Sequence, residues 1–546
     1  MTKAISTELT AAPYGAETAQ SAASPSARAG RTALALAAWA SGGLNTAVTM
    51  LMGFMATPYL LEHLGAERLG AFNAAQQWTG YLAYLNLGLS WTINIFLLEA
   101  VNRRDMLRTK DLAMTGFRLQ LRQTLFLVLP VAVVMAYMMP TLVPVRPSMR
   151  YELRVSSFIG LIALATLPFQ VFRDLLACLQ LGYLVSIALL VQFVLTTGLA
   201  VFLTWMGFGL EGQYVAFVAG LLAFAGFVAC FAIRYLPGFF RATRLQLSRK
   251  ELWKLRWPVA LVGVGTQVSL MTDLIVVGLI LNPAAVMTFS VTQRLISVVG
   301  RFATNLGGQS WSGLSEILAT KGPLSFQDRL LELVRLMVGF GTIVVAILAA
   351  YNREFVSLWV GDKYYGGDLL SVVTSIQMVI VGFVLLFSFV IDALGNTYKR
   401  VTISSSGAVL NIALSFLFAY WVGLFGVSLA TVAAYLITDV WFLPYIVCRQ
   451  YGVEGRAIVR SLLGAAIPAV VWAVGIWFVA HRDARIYSWF NLALELGVAH
   501  AVGIAYGVAF VMTRQDRTVW LVRVQTLRRL ALGTVREWQS HGLRPD

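Results

Sequence analysis

The chain has 546 residues, 58% of them hydrophobic and 12% charged, with a formal net charge of +16 and a mean hydropathy of +0.74. Soluble domains carry about twice that charged fraction, so the composition excludes a soluble enzyme. It predicts an all-α polytopic membrane protein. The positive charge does not point to nucleic acid, because the basic residues sit between apolar runs, where the positive-inside bias puts them.

Residues 1–31 are rich in Ala, Ser and Thr without an apolar core and read as a disordered cytoplasmic tail. Apolar runs then recur to the end, at 33–60, 71–99, 119–139, 155–178, 184–206, 212–233, 257–281, 286–312, 333–351, 369–393, 402–421, 425–447, 461–480 and 489–513, which makes about 14 transmembrane helices. An even number places both termini on one side. With both termini cytoplasmic, roughly 31 Lys and Arg fall inside and roughly 8 outside, which predicts a multi-pass protein of a bacterial inner membrane in that orientation. The strongest inner anchors are Arg103, Arg104, Arg108 and Lys110, then Arg241, Arg244, Arg249, Lys250 and Lys254. Prolines inside spans (Pro58, Pro130, Pro168, Pro258, Pro444, Pro468) predict kinks. Residues 514–546 form a basic tail. Its segment 517–539 carries Trp520, Val524, Leu527 and Ala531 on one side, as an amphipathic helix on the inner leaflet would.

Chemistry-bearing motifs are few. Cys178, Cys230 and Cys448 are far apart, and His63, His481, His500 and His541 are scattered. These spacings give no metal site, no disulfide framework and no nucleophile–base pair. The outside loops are short, leaving no room for an extracytoplasmic catalytic domain. The chain is therefore not expected to be an enzyme, a cofactor is not implied, and a membrane glycan polymerase or ligase is the weaker reading.

The informative stretch is 270–317. Read as a helix, its second span puts Ser290, Arg294, Ser297, Arg301, Asn305, Gly308 and Ser312 on one face at steps of three and four. An intramembrane charge facing lipid costs about 2.5–3.5 kcal/mol on insertion scales, so this face turns to a partner helix or a cavity. Two cations without an acid in their own span predict an anionic guest; a carboxylate on another helix is the alternative. Asp273, near Thr272 and Ser269, is the candidate for carrying a proton or sodium ion, or for pairing with Arg294 or Arg301. Asp174 and Asp392 lie near the inner ends of their spans as gating or interfacial residues. Asp439 and Glu495 are weaker candidates.

The chain also matches itself at an offset of about 217 residues. LGAERLGAFNAAQQW (64–78) lies over LNPAAVMTFSVTQRL (281–295), which sets Asn73 on Ser290, Gln77 on Arg294 and Tyr84 on Arg301. Asp174 meets Asp392 one residue further on, and Gly209 meets Gly426. The repeat predicts two pseudo-symmetric lobes of about six helices each, 32–233 and 257–447, joined by a basic cytoplasmic linker at 234–256 and followed by two further helices within 448–513. Substrate would bind between the lobes.

The first pair of spans (PYLLEHLGAERLGAFNAAQQWTGYLAYLNLGLS, 58–90) and TDLIVVGLILNPAAVMTFSVTQRL (272–295), then FVSLWVGDKYYGG (355–367), DALGNTYKRV (392–401) and FGVSLATVAAYL (425–436), resemble in content and order the bacterial polysaccharide-biosynthesis (Wzx-type) flippases. These belong to the multidrug/oligosaccharidyl-lipid/polysaccharide exporter superfamily. The resemblance implies a V-shaped two-lobe fold, alternating access, and translocation of an undecaprenyl-pyrophosphate-linked oligosaccharide to the periplasmic leaflet for O-antigen, capsule or exopolysaccharide. Membrane lipids and the polysaccharide polymerase machinery would be its partners. Arg294 and Arg301 fall on the helix whose cations would take the pyrophosphate, with Asn73, Gln77, Tyr84, Gln293, Asn305 and Gln309 left for sugar hydroxyls. The chain departs from that pattern in its extra spans, which lipid II flippases share, and in the first lobe's cations, where only Arg122 on the third span is available. A lipid II flippase and a multidrug exporter of the same superfamily are the alternatives.

Overall fold

The computed structural model describes residues 25–85, 88–236, 272–393, 397–482 and 488–523, with isolated positions at 239, 257, 260 and 525. Side chains are described from residue 41 on, with gaps that include Tyr84, Arg301, Asn305 and Gln309. These residues form helices joined by short turns, and among them no strand occurs. Eleven of the helices are long and apolar enough to cross a membrane.

The elements are α1 (Pro25–Tyr84), α2 (Leu89–Asn102), α3 (Met106–Gln123), α4 (Leu129–Leu142), α5 (Arg150–Gly160), α6 (Gln170–Cys178), α7 (Gly182–Trp205) and α8 (Leu210–Tyr235). In the second half come α9 (Pro283–Arg294), α10 (Ser297–Arg335), α11 (Gly341–Ala350), α12 (Asn352–Trp359) and α13 (Asp368–Ala393). They are followed by α14 (Thr397–Val422), α15 (Leu424–Ile437), α16 (Asp439–Tyr451), α17 (Gly455–Ala480) and α18 (Trp489–Tyr506). Residues 272–280 are also helical, as are 514–523.

Two predicted boundaries need correction. The first two spans form one element, because the backbone turns at Gly65 (φ 80°, ψ 161°) with helix on both sides and no intervening loop. That φ is open to glycine and strained for other residues. The predicted span 71–99 is interrupted: α1 stops at Tyr84, and α2 starts after Gly88 at φ 72°. Gly322 (φ 82°) followed by Pro323 makes the same kind of corner inside α10. Pro130 follows a π-turn at Thr124–Val128, and Pro168 lies in a 3-10 stretch, Leu161–Phe169. A missing amide donor is tolerated where the ladder is already irregular. Pro258 and the linker 234–256 lie almost wholly outside the described residues.

Packing separates the two ends of the molecule. At the end carrying the 103–105 and 179–181 turns, one core (Leu97, Leu112, Leu175, Leu176, Val228) is built wholly from the first half. A second (Phe326, Leu330, Val334, Phe387, Leu443) is built wholly from the second half. At the opposite end the halves share cores. Ala71, Ala74, Met139 and Tyr214 pack with Val276, Val286, Phe289 and Leu370, and Leu61, Leu64 and Leu69 pack with Met287, Val291 and Phe355. The seam is α1 against α9. A Cβ on Gly70 would stand 1.8 Å from the Pro283 carbonyl oxygen and 2.7 Å from its carbon, so the two backbones touch there.

Ion pairs tie the helix ends within each half. Glu152 takes the Arg68 guanidinium at 3.1 Å and the Leu210 amide at 2.8 Å, and Arg146 pairs with Glu67. In the second half, Arg335 grips Asp516 through two hydrogen bonds (2.8 and 2.7 Å) and donates to Ser461 at 3.0 Å, while Arg523 reaches Glu332 at 2.7 Å. The start of the basic tail, 514–523, is therefore clamped to the end of α10. Residues 524 and 526–546 lie outside the described residues.

Candidate functional site

Where α1 leaves the seam, a cavity of about 200 Å³ opens between the halves. Arg294, the last residue of α9, supplies its cation. Helix periodicity sets Ser290 one turn before it on the same face, and Met287 a turn earlier. Asn73 and Thr57 face them from α1, Thr196 and Thr197 from α7, and Gln213 from α8. Trp359 closes the seam end, its indole N–H donating to the Phe54 carbonyl at 2.7 Å. Phe54 also meets the Trp359 and Phe355 rings edge-on. Gly53 leaves room for the guanidinium, since a Cβ there would come within 2.6 Å of Arg294 Nη2. The lining thus combines a delocalised cation with hydroxyl and amide groups, and among the described residues it carries no acidic side chain. That set suits phosphate oxygens and sugar hydroxyls. The space that the described residues enclose around Arg294 is smaller than a lipid-linked disaccharide.

The predicted residues divide. Arg294, Ser290 and Asn73 meet in the cavity, and the Asn73 amide also reaches Met287 Sδ at 3.8 Å across the seam. Gln293 points to the other face of α9, where its amide donates to Ser428 (2.9 Å) and Thr374 (3.3 Å) inside the second half. It is a helix-packing residue and does not line the cavity. Gln77 does not line it either; its Oε1 is buried without a hydrogen-bond partner. Arg122 is exposed on α3, away from the cavity lining. The predicted single helix from Ser290 to Ser312 is split at Leu295–Ile296, although the dihedrals of both residues stay helical. Arg301, Asn305 and Ser312 follow on α10, and Tyr84 ends α1; their side chains, like that of Gln309, lie outside the described residues.

The side chain of Arg301 lies outside the described residues, and among them Asp273 makes no ion pair. It is buried in the second half, accepting from Gln377 Nε2 and Thr431 Oγ1, each at 3.4 Å, while Asn411 Nδ2 donates to Thr431 at 2.9 Å. Gln377 Oε1, Asn411 Oδ1 and, one turn along α14, Ser415 Oγ are buried without hydrogen-bond partners. The neighbouring Thr272 hydroxyl meets Tyr81 of the first half at 2.6 Å. Asp174 pairs with Arg173 at 2.8 Å and Asp392 with Arg400 at 3.1 Å, so these repeat-related acids are both engaged near their helix ends. Asp439 accepts from Thr438 at 2.8 Å. Glu495 is half-buried on α18. No group of three or more His, Cys, Asp or Glu that could hold a metal ion occurs among the described residues.

Thr196, Thr197, Gln213 and Trp359 escaped the sequence reading, which followed polarity along one helix at a time. The Thr–Thr pair and the lone Gln within apolar helices were the available signal. Gln213 is held in place by donating to Thr204 (2.9 Å) and the Ala200 carbonyl (3.3 Å).

No protein-family model matches the chain. It is similar to the uncharacterized membrane protein EpsK of Bacillus subtilis (strain 168), 22% identical over 504 residues, covering 87% of this chain and 95% of that one. Among solved structures it is similar to the lipid II flippase MurJ in an inward closed conformation (TM-score 0.62, 15% identity, 85% of this chain and 98% of that one). It is also similar to an inward-facing multidrug resistance MATE family transporter of the MOP superfamily (TM-score 0.51, 15% identity, 78% and 95%). The chain is thus a multi-pass, all-helical membrane protein with the fold of these transporters, and the two solved neighbours named are a flippase and a transporter.

Proposed function

We propose that the protein is a flippase that carries an undecaprenyl-pyrophosphate-linked oligosaccharide from the cytoplasmic to the periplasmic leaflet of a bacterial inner membrane by alternating access. The observation that carries this reading is the Arg294 cavity, which sits between the two halves beside a seam that closes one end. In this reading the two halves are the six-helix lobes, and the seam end faces the periplasm. The guanidinium would take the pyrophosphate, Arg301 would extend the same face toward the cytoplasm, and Asn73, Thr196, Thr197 and Ser290 would meet sugar hydroxyls. A multidrug exporter for cationic compounds fits less well, since the described lining presents a cation and no carboxylate.

Coupling is assigned to Asp273. Its carboxylate and the unpartnered oxygens of Gln377 and Asn411 form an oxygen-rich interior of the kind that takes a proton or a hard cation such as sodium. Asp273→Asn is expected to abolish dependence on the ion gradient while leaving the protein folded; transport that still follows the gradient in this variant would remove Asp273 from coupling.

The lipid II reading is favoured by one observation, the similarity to MurJ at a TM-score of 0.62. One experiment separates the two. A strain lacking the gene is complemented with wild type, Arg294→Ala or Arg294→Lys, and surface polysaccharide and lipid-linked intermediates are measured. Loss of polymer with normal cell-wall synthesis supports the oligosaccharide reading. Rescue of a strain depleted of its lipid II flippase supports the other. Full activity of Arg294→Ala in both assays would refute the cavity as the route.

A further inference from the structure

The outer face of α17 carries a feature that transport through the Arg294 cavity does not use. Arg456 and Arg460 stand one turn apart at its start, both exposed. Among the described residues neither makes an ion pair or a hydrogen bond; the carboxylate of the adjacent Glu454 pairs with neither of them, and the nearby Arg335 is already neutralised by Asp516. The two arginines line a shallow recess with Val459, Leu463 and Gly464. Nothing lies within 4 Å of where a Gly464 Cβ would stand, so the recess is open at that point.

Steps of three and four continue this face as Leu463, Ile467, Val470, Val474 and Phe478. Each is about half or more exposed, at 51%, 61%, 53%, 51% and 67%. Val470, Val474 and Phe478 then form one wall of an apolar groove of about 540 Å³, whose other walls are α11 and α13. Arg460 and Val474 are about 21 Å apart along the helix axis at about 1.5 Å per residue. That span compares with the roughly 15 Å hydrocarbon depth of one leaflet. A cationic recess, an apolar stripe and an apolar groove thus lie in line on one helix, over the length of a lipid. The groove shares no lining residue with the Arg294 cavity.

We infer that α17 holds one anionic glycerophospholipid of the surrounding leaflet, with its phosphate on Arg456 and Arg460 and an acyl chain running along Leu463 and Val470 into the groove between α11, α13 and α17. Guanidinium forks select the phosphodiester, and two uncompensated cations side by side select a lipid with net negative charge. A zwitterionic lipid brings its own ammonium to the same place and is disfavoured. The bound lipid fills the groove and cements α17 to α11 and α13.

Native mass spectrometry of the full-length protein in detergent tests this, with dioleoylphosphatidylglycerol or dioleoylphosphatidylcholine added. Wild type is expected to retain one phosphatidylglycerol at concentrations where phosphatidylcholine is lost. Arg456→Gln with Arg460→Gln weakens that retention about tenfold, whereas the paired Lys variants stay within about threefold of wild type. Val470→Trp fills the groove and displaces the lipid with both arginines intact. Since the Gln pair changes only exposed side chains, its folding is not in question if the Trp variant fails. Equal retention of both lipids, or unchanged retention in the Gln pair, overturns the site. So does recovery of a polyprenyl pyrophosphate in place of phospholipid, because the groove would then belong to the transported lipid. Neither arginine lines the Arg294 cavity, so failure here leaves the transport reading standing.

Discussion

Gly70→Ala tests the seam. The added Cβ would sit 1.8 Å from a carbonyl oxygen of α9, and backbone cannot rotate away as a side chain would. Restoring the 3.0 Å below which real Cβ contacts are essentially never found takes a separation of about 1.2 Å between α1 and α9. Forcing an extra methyl into a packed contact costs about 1–3 kcal/mol. Taken out of the seam-closed state alone, that shifts the balance between closed and open about 5- to 150-fold. A melting curve is the wrong readout, because Ala in place of Gly within a helix stabilises by roughly 1 kcal/mol and masks the strain. The suitable assay uses a protein without Cys178, Cys230 and Cys448 and with Ser290→Cys in the cavity. Labelling by a membrane-impermeant maleimide is then followed from the side of the 282–283 turn. Gly70→Ala should raise the labelling rate by the factor given. A rate equal to the parent's, at equal expression, would mean that the seam does not hold the cavity shut.

Other outcomes follow from the same geometry. Arg294→Ala should abolish polymer output, and Arg294→Lys should retain a fraction of it, since a point charge keeps attraction but not the fork. Gly53→Ala should lower output only several-fold, because the atom 2.6 Å away is the far end of the long Arg294 side chain and not backbone. Trp359→Phe keeps the ring contacts with Phe54 and Phe355 but removes the donor to the Phe54 carbonyl; it should weaken closure by about 1 kcal/mol, read by the same labelling assay. At the clamp, burial opposes ionisation of Asp516, but the Arg335 and Thr513 hydrogen bonds prevail and hold its carboxyl below the usual range. A depressed folded value means that this stabilisation is complete above the ordinary aspartate value near pH 4 and is lost as pH falls through the folded value. Asp516→Asn should therefore lower thermal stability at pH 7, by about 3 kcal/mol for a buried pair losing one partner, with the difference shrinking below about pH 4 in a melting series.

The helices were legible in the sequence because a membrane leaves the backbone no alternative and lipid-facing surface must be apolar. Ser290 and Arg294 were legible as a cavity face for the same reason, since a charge on an apolar helix has to point somewhere other than lipid. Gln293 was not separable from its neighbours, because its partners Thr374 and Ser428 are about eighty and more residues away, and nothing local records them. Asp273 could be seen as an intramembrane acid, but its choice of Gln377 and Thr431 over Arg294 depends on how whole helices face one another. The Gly65 corner was hidden for a different reason: the residues on both sides favour helix, and only the φ of one glycine divides them.

The way the helix ends are stapled bears on how closure responds to its surroundings. The Glu152 staple with Arg68 and Leu210, the Arg146–Glu67 pair, and the Arg335–Asp516 and Arg523–Glu332 pairs each join elements of a single half. The hydrogen bonds found across the seam, Trp359 to Phe54, Tyr81 to Thr272 and Asn73 to Met287, are between neutral groups. Among the described residues, each half is thus stiffened by charge, while the joint between them is held by contact and neutral hydrogen bonds. Ionic strength screens exposed charge far more than either of those. Added salt should therefore loosen the individual halves before it parts them, whereas cooling, which weakens apolar association, should act first on the joint.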